Sequence, residues 1–225
     1  MCLMNETPNP IEVPEFESLA AAVEWLGLDI SEDQLAQLDA YRQLLWDWNE
    51  KINLTRHTTF AKFAARDLLD TVELAKHLEQ GERVLDVGSG GGVPGIPLAI
   101  LRPDLTVSLC DSVGKKSRVL EDLVANLALP ITVYPARAEE VLEVTTQGAL
   151  VARGVASLKK MLTWLAPHWD AFDRLVLIKG KAWVEERGEA RHYGVMKGLQ
   201  LRRLASYESP LLGESVILSI TPAEN

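Results

Sequence analysis

Apolar residues along this chain change their period near residue 83. Before it, Leu35, Leu38, Tyr41, Leu45, Trp48 and Ile52 recur at helical spacing, and Ser31 with Gln34 three residues later makes a capping-box start, so a long helix is predicted there. A second helix is predicted from Phe60 to Leu78, with Phe63, Leu68, Val72 and Leu74 on its apolar side. From Arg83 onward, short β-branched or apolar runs alternate with helical stretches. Strands are predicted at 83–87, 106–110, 131–134, 148–152 and 174–179, and helices near 95–102, 115–127, 138–143 and 157–168. That alternation marks βαβ units and a parallel sheet. The polar stretch from Gly180 through Gly198 reads as a loop or mobile helix, and 199–206 with 215–220 as a closing antiparallel pair. The one boundary falls near Gln80-Gly81-Glu82, dividing the chain into a helical extension (1–80) that packs on an α/β domain (81–225).

Where the first predicted strand ends, Arg83-Val84-Leu85-Asp86-Val87 runs into Gly88-Ser89-Gly90-Gly91-Gly92-Val93-Pro94-Gly95. Glycines let the backbone approach a ligand with no Cβ in the way, and the following helix offers free N–H groups at its start. A bound ligand therefore accounts for so many glycines better than a packed core. Two cofactor classes use such a turn. Gly90-x-Gly92-x-x-Gly95 passes as a dinucleotide fingerprint, whereas Asp86 followed by Gly88-x-Gly90-x-Gly92 fits an S-adenosylmethionine site. Five parallel-type strands closed by a hairpin favour the second. The predicted fold is a class I S-adenosylmethionine-dependent methyltransferase: a Rossmann-like, mostly parallel seven-stranded sheet with an antiparallel C-terminal hairpin and an N-terminal helical extension.

Other candidate residues follow from strand ends. Asp111, after the second strand, can accept hydrogen bonds from ribose hydroxyls, or instead cap the next helix. Ala138 and Glu139, after the third, can meet an adenine ring, although Glu139 and Glu140 equally suit a helix first turn. Arg153, at the end of the fourth, points into the ligand crevice and reads as a contact to cofactor or substrate rather than a surface ion pair. Arg153→Ala is then expected to cut activity with little loss of fold. Exocyclic-amine methyltransferases carry Asn or Asp followed by Pro-Pro and an aromatic here, and this chain has Arg153-Gly154-Val155-Ala156 instead. The N7 of guanine needs no such help, since its in-plane lone pair attacks without losing a proton. Cys110, inside a strand, and Cys2, near the terminus, are not placed as nucleophiles.

The chain has 225 residues, 47% hydrophobic, enough for one sizeable core without disulfides. With two cysteines, scattered histidines, no secretion signal and no spanning apolar run, the expectation is a cytoplasmic protein without a metal. Its net charge of −9 is uneven: residues 1–50 hold 11 acids and one base, whereas 151–203 hold 11 bases against five acids. A basic face on an acidic protein suits RNA, and ordinary solvated charge is the bland alternative.

Most of residues 40–182 resembles one family closely: the RNA methyltransferase family RsmG, also called GidB. The likeness is carried by Trp48-Asn49-Glu50-Lys51-Ile52-Asn53-Leu54-Thr55, the glycine turn with Pro94-Gly95-Ile96-Pro97-Leu98-Ala99, Asp111-Ser112, Lys115-Lys116, Arg137-Ala138-Glu139-Glu140, Arg153-Gly154-Val155-Ala156-Ser157 and Lys179-Gly180-Lys181. The resemblance implies methylation of guanine N7 in a loop of 16S rRNA, with naked rRNA, the small ribosomal subunit or an assembly intermediate all open as the form acted on, and a monomer is expected. It implies a cofactor site of Asp86, Gly88, Gly90, Gly92, Val93, Asp111, Ser112, Ala138, Glu139 and Arg153, with Arg153 also the catalytic candidate. Asn53, Arg56, Lys115, Lys116, Arg118, Arg137, Lys179 and Lys181 are then expected to hold RNA. Two positions depart from the family pattern, Val93 in place of Phe or Leu and Asp67 in place of His, and neither is expected to touch the chemistry. Methylation of a small molecule, or a noncatalytic ribosome-assembly factor on a vestigial cofactor fold, remain the alternatives.

Overall fold

The computed structural model describes residues 13–211 and 213–223, so Cys2 and the prolines at 8 and 10 lie outside the described residues. Seven strands form one sheet in the order β3-β2-β1-β4-β5-β7-β6. They are β1 (Arg83–Val87), β2 (Thr106–Cys110), β3 (Thr132–Tyr134), β4 (Gln147–Arg153), β5 (Phe172–Gly180), β6 (Leu199–Ser209) and β7 (Gly213–Pro222). The first five are parallel, and β7 runs antiparallel between β5 and β6. Because both faces are covered, the strands read as continuous apolar runs whose alternate residues serve opposite layers. Val84, Val151, Val176 and Ile178 face one core; Leu85, Leu150, Leu175 and Leu177 face the other.

The second layer holds α7 (Ala138–Leu142), α8 (Leu158–Leu165) and α9 (Trp183–His192), which contribute Val141, Leu158, Met161, Leu162 and Ala190. The first holds α1 (Leu19–Trp25), α2 (Glu32–Asn49), α3 (Phe60–Lys62), a π-helical turn (Phe63–Leu68) that leads directly into α4 (Leu69–Ala75), α5 (Gly95–Leu101) and α6 (Gly114–Asn126). Leu38, Tyr41 and Leu45 of α2 are fully buried in the same cluster as Ile96 of α5 and Leu120 of α6. The N-terminal helices thus share the core of the sheet's first face. The expected capping box is present at Ser31 and Gln34, and the Gln34 amide also donates to the carbonyls of Ile100 and Leu101, tying α2 to the end of α5. Trp46 and Trp48 are packing residues: Trp46 meets Phe60 and Phe63, and the Trp48 indole donates to Asp122 of α6. Among the described residues no helix is long and apolar enough to cross a membrane.

Of the two readings of the polar stretch after Gly180, loop or mobile helix, the helix is the one found: α9 is secured by Ala190 in the core and by Glu186 and Glu189 bonded to Lys179 and Lys159. One expectation needs correction. The single helix expected over 60–78 contains a π turn and ends at Ala75. Such a turn admits an extra residue and re-aims the side chains that follow.

Candidate functional site

β1 is flanked by β2 on one side and β4 on the other, and a crevice opens beyond the carboxyl ends of β1 and β4 where the strand order reverses. The glycine turn sits there, held by several anchors. The N–H groups of Gly88 and Ser89 donate to the Cys110 carbonyl at 2.9 and 3.0 Å, and the Asp111 carboxylate accepts from Gly90 N–H at 3.0 Å. From behind, the Tyr41 hydroxyl donates to the Gly91 carbonyl at 2.8 Å. Gly88 and Gly90 have φ of +68° and +59°, a region that favours glycine.

Two cavities flank this turn. One, of about 380 Å³, is lined by Gly88, Asp111, Ser112, Ala138 and Glu139, with Cys110 and Trp164 among its walls. The second, of about 190 Å³, is lined by Leu54, Thr55, Gly90, Val93 and Arg153 together with Leu45 and Ser89. Gly88, Lys116 and Gly154 line both, so the two are contiguous. Thr55 is set in place by Asn49, whose side-chain oxygen accepts from the N–H groups of Leu54 and Thr55 at 2.7 and 2.9 Å.

The structure therefore brings together Gly88, Gly90, Val93, Asp111, Ser112, Ala138, Glu139 and Arg153, with Lys116 and Arg137 of the RNA candidates beside them. Asp86 and Gly92 line neither cavity. Asp86 is buried beneath the turn and accepts from Gly95 N–H at 3.0 Å, and burial pushes its carboxyl up to about 7. A Cβ at Gly92 would strike Ile96, and one at Gly95 would strike Leu109 and the Asp86 carboxylate. Packing, not a ligand, requires those two glycines. A Cβ at Gly90 would find only the Gly88 carbonyl oxygen, 3.8 Å away, which leaves that position open for a ligand. Asp111 serves both of the roles read from its position: it lines the larger cavity and also accepts from Val113 N–H at the start of α6. Burial pushes the Cys110 thiol up to about 12, which removes it as a nucleophile.

Arg153 departs further from expectation. Its guanidinium is 14% exposed and lies 2.6 Å from the Asp67 carboxylate and 3.3 Å from that of Asp70, both fully buried. Burial alone would lower its pKa, but Asp67 and Asp70 outweigh that and hold it above its ordinary value. Asp67 thus touches the catalytic candidate directly, contrary to the expectation that its departure from the family pattern is remote from the chemistry. The same Asp67 oxygen meets His57 Nδ1 at 2.9 Å. Of the remaining RNA candidates, Asn53, Arg56, Lys115, Arg118 and Lys181 are exposed. Lys179 is not: its ammonium donates to the Ala156 carbonyl at 2.6 Å and to Glu186 at 2.8 Å, bracing the loop after β4.

The family model described as GidB, rRNA small subunit methyltransferase G, matches residues 34–211. This chain belongs to that family. A ribosomal RNA small subunit methyltransferase G from Rhodopirellula baltica is 55% identical over 186 residues, covering 83% of this chain and 80% of the relative. One from Anaeromyxobacter dehalogenans is 36% identical over 198 residues, covering 87% and 91%. Among solved structures, M. capricolum TrmK in complex with S-adenosyl-homocysteine superposes with a TM-score of 0.55 at 14% identity, over 68% of each chain. A protein of the NADB-Rossmann superfamily from Streptococcus agalactiae gives 0.51 at 15% identity, over 69% of this chain and 68% of that one. At those identities the likeness is one of fold, and it agrees with the Rossmann-like sheet described above.

Proposed function

We propose that this chain, a member of the small-subunit rRNA methyltransferase family, transfers the methyl group of S-adenosylmethionine to N7 of an unpaired guanine in 16S rRNA. The larger cavity suits the adenosine part: Asp111 offers carboxylate lone pairs to ribose hydroxyls, and Ala138 and Glu139 flank the place for the base. Open space at Gly90 lets the methionine part pass along the turn into the smaller cavity. Bound there, the cofactor supplies an electrophilic methyl group on a sulfonium.

The observation that carries the choice of N7 is the lining of the smaller cavity. Among the described residues it contains no carboxylate, imidazole or thiol, so nothing there is placed to take a proton from an amine. Guanine N7 attacks with a lone pair already in the ring plane and releases no proton, so positioning and electrostatics suffice. Arg153, Thr55 and Lys116 are side chains able to orient the base, and Val93, Leu54 and Leu45 supply apolar walls. An unpaired base is required because the cavity admits a nucleobase only once it is splayed from its neighbours.

The test is transfer of labelled methyl from S-adenosylmethionine to small-subunit RNA, or to subunits lacking the modification, followed by nucleoside analysis. Label in 7-methylguanosine at one site is the expected result. Cofactor binding without transfer to any RNA form would overturn the proposal and leave a small-molecule substrate or an assembly role.

A further inference from the structure

The smaller cavity has two cationic side chains in its wall, half-buried Lys116 and Arg153 beneath it, and the reaction proposed for it carries positive charge from beginning to end. The donor arrives as a sulfonium. As the bond from the guanine N7 lone pair to the methyl carbon forms, the carbon–sulfur electrons return to sulfur, which becomes neutral, and the base leaves as a cation. A bare guanidinium in the wall would oppose the donor and the cationic product alike. The protein answers with two fully buried carboxylates behind Arg153. They are not equivalent. Asp70 is shared, lying 3.3 Å from Arg66 as well as from Arg153 and accepting from the Tyr207 hydroxyl at 2.7 Å. Among the described residues Asp67 has Arg153 as its one guanidinium partner, at 2.6 Å, with His57 on the same oxygen, and its other oxygen is buried with no hydrogen-bond partner there. A carboxylate so incompletely satisfied is an expensive way to hold a side chain in position, since burial of an acceptor without a donor is unfavourable.

We propose that Asp67 is the counter-ion of Arg153: it cancels the guanidinium charge at the transfer cavity, so that Arg153 can orient the base by hydrogen bonding without repelling the sulfonium or the methylated guanine. Asp67 reaches the cavity through Arg153 and is a positioning and charge-balancing residue. Asp67 lies in the last part of the π turn and Asp70 in the first turn of α4, and both are buried.

This inference rests on the smaller cavity receiving the methyl end of the cofactor, and the experiment separates the two. S-Adenosylmethionine and S-adenosylhomocysteine differ by one methyl group and one positive charge, so the ratio of their affinities, measured by calorimetry, reads the potential at the sulfur. In Asp67→Asn, which keeps the shape and removes the charge, the methionine form should weaken relative to the homocysteine form by on the order of tenfold, the effect of one unit charge over roughly 10 Å at an effective dielectric near 20. A structural role alone would weaken both equally. Arg66→Gln, at a partly exposed position, frees Asp70 and should move the ratio the other way, by about two- to threefold. If the wild-type chain binds neither compound, the cofactor reading fails. If it binds both and the ratio is unchanged in Asp67→Asn, the counter-ion role fails alone. Should Asp67→Asn not fold, an unchanged ratio in Arg66→Gln overturns the proposal, and an increase supports it.

Discussion

At the scale of single residues, the ionisable groups buried at the ends of β1 and β4 set stability as well as chemistry. Burial raises the Asp86 carboxyl from 3.8 to about 7. Between those values the folded chain holds a proton that the unfolded chain has released, so this group favours folding at low pH and its contribution is lost as pH rises through the window. A shift of that size corresponds to about 4 kcal/mol. Asp86→Asn, whose amide oxygen can still accept from Gly95 N–H, should flatten the fall in melting temperature between pH 4 and 7, and parallel profiles for the two proteins would refute this. Arg153→Ala should no longer leave the fold untouched. It strands Asp67 and Asp70 as uncompensated buried charges, a change that typically costs about 3–5 kcal/mol, and chemical denaturation should register it alongside the loss of methyl transfer. Arg153 was legible in the sequence because a basic residue at a parallel-strand end has nowhere to point but the crevice. Asp67 was not. It interrupts the apolar side of its helix between Phe63, Leu68 and Leu74, and that interruption was the available signal, but its meaning depends on a partner far along the chain, at the end of β4.

At the scale of elements, the glycine turn separates into two functions that the sequence merges. Gly95→Ala should destabilise the protein, because its Cβ would meet Leu109 and the Asp86 carboxylate where α5 docks on the sheet. Gly90→Ala meets no side chain and should lose only about 1–2 kcal/mol to its left-handed backbone, yet weaken S-adenosylmethionine binding at least tenfold. Thermal unfolding and calorimetry on the pair test this, and equal loss of stability in both would count against it. Local chemistry made such elements readable: strands covered on both faces are apolar throughout, and the Ser31 and Gln34 box announces α2. The elements that were left open or misread depend on distant partners. Between Gly180 and Gly198 the apolar residues, among them Trp183, Val184 and Ala190, are too sparse to decide between loop and helix, and α9 is held by Ala190 in the core and by Lys159 and Lys179 from other elements. The π turn has no local signature, and its Asp67 meets Arg153 of β4, a partner far along the chain.

At the scale of the whole molecule, an acidic chain has to approach a polyanion. The acids concentrate toward the N-terminus, where Glu24, Asp29, Glu32 and Asp33 stand on or beside α1 and α2. Exposed bases stand on the segments that border the crevice instead: Lys115 and Arg118 on α6, next to cavity-lining Lys116, Arg137 in the wall of the larger cavity, and Arg56 beside cavity-lining Thr55. On the proposed function, RNA would dock on these bases while the acidic helices disfavour other approaches, so that charge selects orientation before any base is read. Each phosphate neutralised on single-stranded RNA contributes about 0.7 to the slope of log affinity against log salt. Lys115→Ala combined with Arg118→Ala should therefore lower affinity at low salt and reduce that slope by about 1 to 1.5, while S-adenosylmethionine binding and melting temperature stay near the wild-type values. Neither side chain lines a cavity or joins an ion pair among the described residues, so the effect on RNA is separable from the site itself. A slope unchanged in the double variant would mean that the RNA backbone follows another face, and the bases of β6, Arg202 and Arg203, would be the next to neutralise.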